Sequence, residues 1–375
     1  MTAPTPTPAA APARPLPPAG PRKVAVLGAG SWGTTFAKVL ADSAREAAHA
    51  AAGPLDRTVV LWGRDAAAMD HAARTHVNDR YVPGIRLPER LVITSNLAAA
   101  VTGADLVVLA VPAQSLRSQL PAVAEHLGRD AVVLSLAKGL EQGTGLRMSE
   151  VVAEELGRAT GLGPEHWQAR TCVLSGPNLA MEIAEEQPTA SVVAAPDAEL
   201  AAWVAHACRT GYFRPYTNTD VVGTEIGGVV KNVIALSVGI ADGRHFGENS
   251  KASIITRGLA ETTRLALALG GKLETLSGLA GMGDLVATCS SPLSRNRTAG
   301  RLLGLGKTLA EVQEEMTQTA EGIKSAPAVL ALARRNDVDM PITEAVVAIL
   351  HEKIDVDDLA PLLLGRELKS EGTDS

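Results

Sequence analysis

The stretch Lys23-Val24-Ala25-Val26-Leu27-Gly28-Ala29-Gly30-Ser31-Trp32-Gly33 decides the fold. Val24 to Leu27 is a short apolar run of the kind that forms a strand buried on both faces. Gly28, Gly30 and Gly33 follow at G-x-G-x-x-G spacing, and Thr34 to Leu40 reads as the start of a helix. A strand, a glycine turn and a helix in that order make a dinucleotide fingerprint. Gly28 allows the tight turn, Gly30 lets the backbone approach a pyrophosphate, and Gly33 lets helix and strand pack closely. The helix start holds the phosphates through its free N–H groups and its dipole.

Working outward, Ala-rich sequence carries the first helix to about Ala52, where Gly53-Pro54 is a stop signal. Thr58 to Trp62 reads as the second strand. It ends in Gly63-Arg64-Asp65, later than the usual spacing to a ribose-binding acid. An arginine there can accept a 2′-phosphate, so NADP is tolerated beside NAD; the equal alternative is a solvated loop charge. Asp105 to Pro112, Ala131 to Leu136, Arg170 to Leu174, Ser191 to Ala195 and Tyr212 to Tyr216 read as further strands. Ligands in such sheets sit outside the carboxyl ends of strands, which places Val111-Pro112 and Lys138-Gly139 on the rim of the crevice.

After about Asp220 the pattern turns helical. The expected organisation is a tail over 1–21, an α/β Rossmann-type dinucleotide-binding domain over 22–220, an all-α substrate domain over 221–365 and a flexible tail over 366–375.

Glu225 to Leu236 reads as a helix apolar nearly all round, hence buried. Lys231 and Asn232 interrupt it. A buried lysine needs a partner or a purpose, and desolvation lowers its pKa toward the range of proton transfer. In Gly281-Met282-Gly283-Asp284, Asp284 stands four residues before Thr288, on one face of a helix. Ser294-Arg295-Asn296-Arg297 supplies donors of the kind that grip phosphate.

Composition narrows the function. The chain has 375 residues and a formal net charge of -6, which gives no basic footprint for nucleic acid. Cys172, Cys208 and Cys289 are widely spaced and odd in number, so neither a disulfide framework nor a metal site is expected, and a reducing, cytoplasmic setting fits. No long uncharged run suggests a membrane span. Met1 to Pro21 lacks the pattern of a secretory signal.

These stretches together resemble the bacterial-type NAD(P)-dependent glycerol-3-phosphate dehydrogenases, from about Val24 to Leu364. The resemblance rests on Gly-Ala-Gly-Ser-Trp-Gly at 28–33, Leu-Trp-Gly-Arg at 61–64, Asn-Asp-Arg-Tyr-Val-Pro-Gly at 78–84, Lys138-Gly139, and the Gly-Pro turn at 176–177. It continues through Glu-Ile-Gly-Gly-Val-Val-Lys-Asn at 225–232, Arg257-Gly258-Leu259, Gly-Met-Gly-Asp-Leu at 281–285, Thr288-Cys289, Ser-Arg-Asn-Arg at 294–297 and Glu321-Gly322.

The resemblance implies reversible reduction of dihydroxyacetone phosphate to sn-glycerol 3-phosphate, a product that feeds phospholipid synthesis in the family. It implies Lys231 as general acid/base and Lys138 as the second substrate lysine. Gly176, Asn178, Asn232, Asp284 and Thr288 would line the substrate, with Ser294, Arg295 and Asn296 at its phosphate end. Gly28, Gly30, Ser31, Trp32, Gly33, Arg64, Tyr81, Lys138, Ala180, Arg295 and Glu321 would contact NAD or NADP. Three departures stand out: Asn178-Leu179 replaces the usual Ser-Phe after Gly-Pro, Asp42 to Arg57 is long, and Thr319 replaces an aliphatic residue. The alternatives are a reductase of a 2-keto or 3-hydroxy acid and an NAD(P)H-binding sensor without turnover. A homodimer is one admissible assembly, which the residues leave undecided.

Overall fold

The computed structural model describes residues 16–18, 20–50, 57–316 and 320–354. The expected end of the first helix near Ala52, Thr319, residues 1–15 and 19 of the tail over 1–21 and the whole of the tail over 366–375 lie outside the described residues.

The strands β1 (Lys23–Leu27), β2 (Thr58–Trp62), β3 (Leu91–Thr94), β4 (Leu106–Leu109), β5 (Val132–Ser135), β6 (Thr171–Ser175), β7 (Thr189–Ala194) and β8 (Phe213–Asn218) form one sheet. Their order is β3-β2-β1-β4-β5-β6-β7-β8. Neighbours run parallel except β6 and β7. Helices α1 (Ser31–Ala50), α2 (Ala66–Thr75), α3 (Leu97–Val101), α4 (Ala113–Ala124), α5 (Met148–Thr160), α6 (Pro164–Gln168), α7 (Ala180–Ala184) and α8 (Ala198–Cys208) connect the strands.

The side chains of β1 show why the central strands are apolar throughout. Val24 and Val26 pack with Phe36 and Leu40 of α1 on one face, while Ala25 and Leu27 pack with Leu116 and Leu120 of α4 on the other. Alternate residues of a strand face opposite sides, so a strand covered by helices on both faces has no polar side. The chain order reverses between β1 and β4, with β2 and β3 on one side of β1 and β4 and β5 on the other. The crevice at such a reversal, outside the carboxyl ends of the strands, is where a dinucleotide binds.

The observed elements differ from the sequence reading at several ends. Helix α1 starts at Ser31, not Thr34, so its first turn overlaps the fingerprint. Strand β4 stops at Leu109, which leaves Ala110-Val111-Pro112 as a rim loop. Strand β3 was not anticipated. It is a four-residue edge strand bonded, among the described residues, only to β2, and Val92 is 47% exposed.

No strand follows Asn218 among the described residues. The rest is helical: α9 (Val221–Gly243), α10 (Glu248–Ala268), α11 (Leu273–Ser277), a π-helical turn at Leu279–Gly283, α12 (Asp284–Ser290), α13 (Arg295–Gly304), α14 (Leu309–Glu315), α15 (Glu321–Arg335) and α16 (Pro341–Leu350). Helix α9 is long and apolar enough to cross a membrane, but 89% of its apolar window is buried inside the fold. It is the core helix around which the others pack.

Helices α9 and α13 meet backbone to backbone. A β-carbon on Gly300 would lie 2.1 Å from the carbonyl oxygen of Leu236, and one on Gly239 would lie 2.1 Å from that of Arg297. Gly300→Ala is therefore expected to destabilise the protein by about 3 kcal/mol or more, because neither helix can move without disturbing a packed core. Thermal denaturation checks this against Gly128→Ala, where the new methyl would meet nothing within 4 Å and little change is expected.

Candidate active site

The glycine turn after β1 is shaped by contact at two positions and open at the third. Gly28 has φ +121°, and a β-carbon there would lie 2.5 Å from the carbonyl oxygen of Ala110. A β-carbon on Gly33 would lie 1.9 Å from the carbonyl oxygen of Gly28. Packing alone accounts for both. A β-carbon on Gly30 would meet nothing within 4 Å. That space adjoins the first turn of α1, whose N–H groups favour an anion. Asn78, buried, holds the turn in shape: its Nδ2 donates to Ala29 O at 3.0 Å and to Thr34 Oγ1 at 2.9 Å. The sequence places Asn78 in a motif but gives no hint of this role.

At the end of β2, Asp65 accepts from Ala68 N at 3.0 Å and so caps α2. The acid is committed to the helix, while Arg64 beside it is exposed. Tyr81 lies under the Arg80 guanidinium at 5.4 Å. Ala180 opens α7, and its carbonyl accepts from Thr35 Oγ1 of α1 at 3.2 Å. Ser31 and Trp32 open α1, and Glu321 opens α15. Trp32 Nε1 and Glu321 Oε2 are buried polar atoms without a hydrogen-bond partner among the described residues. Burial pushes the Glu321 carboxyl above its ordinary range, against the pull of Lys324 and Arg295. Open space at Gly30 and buried polar atoms of Trp32 and Glu321 that lack partners among the described residues fit a dinucleotide.

The second constellation joins the sheet to the helical half. Lys138 lies just past β5, and Lys231 is on α9. Both ammonium groups meet the carboxylate of Asp284, which is 1% exposed at the start of α12. Lys138 Nζ donates to Asp284 Oδ2 at 2.6 Å and to Gly176 O at 3.0 Å. Lys231 Nζ donates to Asp284 Oδ1 and to Thr288 Oγ1, the latter at 2.6 Å. Asp284 and Thr288 do share a helix face, with their oxygens 3.4 Å apart. Burial lowers the Lys138 pKa to about 8, Asp284 opposing and Lys231 adding to the fall. Ser175, at the end of β6, reaches Asp284 Oδ2 at 3.4 Å; the sequence reading did not single it out. Gly228 makes this approach possible, since a β-carbon there would lie 2.7 Å from Ser175 Oγ.

Asn232 extends the network. Its Nδ2 donates to Gly228 O at 3.2 Å, and its Oδ1 accepts from Asn296 Nδ2 at 2.8 Å. Asn296 Oδ1 accepts in turn from Gly322 N at 2.9 Å. Ser294 is the N-cap of α13, and its Oγ accepts from Arg297 N at 3.3 Å. Arg295 is the exposed first residue of that helix. Arg297 is paired with Asp242 at 3.1 Å. On the turn after β6, both polar side-chain atoms of Asn178 are buried without partners among the described residues. The fold thus links Lys138, Gly176, Lys231, Asp284 and Thr288 in one hydrogen-bonded group. Asn232 and Asn296 join them to the start of α15. Arg64 and Tyr81 belong to other segments, at the end of β2 and between α2 and β3. Two ammonium groups on one buried carboxylate can steady a developing oxyanion and deliver a proton.

Comparison with known proteins covers nearly the whole chain. Residues 23–201 match the family model described as NAD-dependent glycerol-3-phosphate dehydrogenase N-terminus, and residues 220–361 match the corresponding C-terminus model. The chain is 54% identical over 349 residues to glycerol-3-phosphate dehydrogenase [NAD(P)+] of Thermobifida fusca, covering 93% of this chain and 98% of that one. It is 53% identical over 350 residues to the protein of that name from Streptomyces griseus, covering 93% and 97%. Among solved structures it resembles glycerol-3-phosphate dehydrogenase from Coxiella burnetii, with TM-score 0.82, 36% identity and coverage of 92% of this chain and 99% of that one. By its two matched domain models and these identities, the chain belongs to the NAD-dependent glycerol-3-phosphate dehydrogenase family.

Proposed function

We propose that this protein reversibly reduces dihydroxyacetone phosphate to sn-glycerol 3-phosphate with NADH or NADPH. The observation that carries this reading is the Lys138–Asp284–Lys231 group, set between the sheet end and the helical half. Residues 22–220 serve as the cofactor half and 221–365 as the substrate half. The change from strands to helices at Val221 supports that division.

When bound, the reduced nicotinamide supplies a hydride to carbon C2 of the substrate. The protein's part is binding, orientation and proton delivery. Gly28 and Gly33 shape the turn, and Gly30, with Ser31 and Trp32, holds the pyrophosphate side; Tyr81, Ala180 and Glu321 line the rest. Arg64 faces the adenosine end and accepts the 2′-phosphate of NADP; its exposure beside a committed Asp65 supports this. Gly176 and Asn178 flank the substrate. Ser294, Arg295 and Asn296 take its phosphate at the start of α13, where the helix dipole adds to the arginine charge. Lys231 donates the proton to the C2 oxygen. Lys138 stabilises the charge building there, and Asn232, Asp284 and Thr288 hold the two lysines in place. In the reverse direction Lys231 takes the proton back. A cytoplasmic setting fits three buried free cysteines. A homodimer fits the exposed Leu273, Met282, Val286 and Leu293.

The test is loss of reduced-nicotinamide absorbance with dihydroxyacetone phosphate, using unphosphorylated dihydroxyacetone and a 2-keto acid as controls. Turnover is expected with the phosphorylated ketone alone. Preference for the keto acid, or tight NADH binding with no turnover, would contradict the reading. Arg295→Met is expected to raise the KM for dihydroxyacetone phosphate by about ten- to a hundredfold, the worth of a charge-assisted bidentate contact.

The pH profile offers a further check. Only the charged form of Lys138 can stabilise an oxyanion, so kcat/KM for reduction should fall as pH rises through about 8. Lys138→Arg keeps the charge at all working pH values. That variant should lose the fall near pH 8 even if its rate is lower.

A further inference from the structure

Glu225 is buried in the first turns of α9, six residues before Lys231. Its carboxylate reaches across to the other half of the molecule. Oε1 accepts from Ser149 N at 2.9 Å, and Oε2 accepts from Ser149 Oγ at 2.6 Å and Arg147 Nη1 at 2.7 Å. Arg147 and Ser149 stand where α5 begins, at the far end of the loop that leaves β5 through Lys138. That loop is closed on itself by a bridge between Leu140 and Arg147 and by Glu141 N donating to Leu146 O at 2.9 Å. Arg147 is fixed further by Glu150, which accepts from its Nη2 at 2.7 Å and its N at 2.8 Å.

The same side of α9 touches the near end of the loop. A β-carbon on Gly228 would lie 3.6 Å from Lys138 Cγ, and Asn232 Nδ2 approaches Lys138 O at 3.5 Å. Residues 225, 228 and 232 are spaced i, i+3 and i+7, one face of a helix. One face therefore grips both ends of the loop that carries Lys138, and Lys231 belongs to the same helix. We propose that Glu225 is a positioning residue for the reaction, whose hold on Arg147 and Ser149 fixes Lys138 against Lys231. This rests on the roles given above to the two lysines.

The hold has a second consequence. The charged groups facing Lys138 are Asp284 from α12 and Lys231 from α9, and Glu321 of α15 lies near the next residue, Gly139. None of them is removed by a change at 225. A loop released from α9 admits water to Lys138 and relieves the burial that lowers its pKa.

The experiment compares wild type, Glu225→Gln and Ser149→Ala in the dihydroxyacetone phosphate assay across pH, with NADH affinity and thermal stability measured in parallel. Glu225→Gln is expected to lower kcat by about ten- to a hundredfold, the range for small displacements of catalytic groups, with NADH affinity nearly unchanged. The basic limb should move upward from about 8 toward the ordinary lysine range. Ser149→Ala removes one donor and should shift both in the same direction by less; it decides the matter should Glu225→Gln not fold. Variants that lose thermal stability yet keep kcat and the basic limb would make Glu225 a clamp between the halves and overturn the proposal. A wild type that does not reduce dihydroxyacetone phosphate would overturn the functional reading itself, and this proposal with it.

Discussion

Lys231→Met lowers the turnover of dihydroxyacetone phosphate by at least about a hundredfold, since a positioned acid contributes 10²–10⁴. Binding of NADH stays close to wild type, because no fingerprint residue is touched. Methionine fills the space of the lysine stem inside α9, so the buried site does not collapse, whereas alanine would leave a cavity. Asp284 keeps Lys138 as its partner and is not left as an unpaired buried charge. The loss should appear in kcat and kcat/KM together, the signature of an interaction made in the transition state. Stopped-flow reduction and NADH fluorescence titration measure the two quantities. A variant that retained most of its turnover would show that the proton comes from elsewhere.

Asp284→Asn has a broader effect. The aspartate is the common counter-ion of two lysines that are themselves largely buried, with side chains 15% and 9% exposed. Removing one partner of a buried ionic group leaves an uncompensated charge and costs about 3–5 kcal/mol. Here two ammonium groups would face each other across a neutral amide. The expected result is a clear fall in thermal stability together with loss of nearly all turnover. The penalty has a definite pH dependence. It exists while both lysines are protonated, so it should shrink as the pH is raised and one of them loses its proton. Denaturation curves between neutral and alkaline pH would reveal the recovery. Equal stability of variant and wild type at neutral pH would mean that the aspartate does not balance the lysines.

The sequence and the fold overlap most where chemistry is local. The glycine turn at 28–33, the buried strands on either side of it and the apolar helix around Lys231 all follow from short-range pattern, because a tight turn, a doubly covered strand and a core helix each restrict consecutive residues. Asp284 and Thr288 on one helix face also followed from their spacing. What escaped is non-local. Strand β3 has only four residues and an exposed side chain at Val92, so its pairing with β2 defines it more than its composition does. The link from Lys231 to Asp284 spans 53 residues, and that from Lys138 to Asp284 spans 146. No periodicity carries such a pairing. Asn78, Ser175 and Glu225 belong to the same class: Asn78 and Glu225 open motifs and Ser175 does not, but each acquires its role only through a distant partner.

The most direct test of the account uses NADH or NADPH carrying deuterium at the transferable C4 position. The product of dihydroxyacetone phosphate reduction would be analysed by mass spectrometry and NMR. Deuterium should appear at C2 of glycerol 3-phosphate, with hydrogen on the adjacent oxygen drawn from solvent by way of the protein. Product without the label at C2, or a label lost to water, would contradict direct hydride transfer and with it the roles given to Lys231 and Lys138.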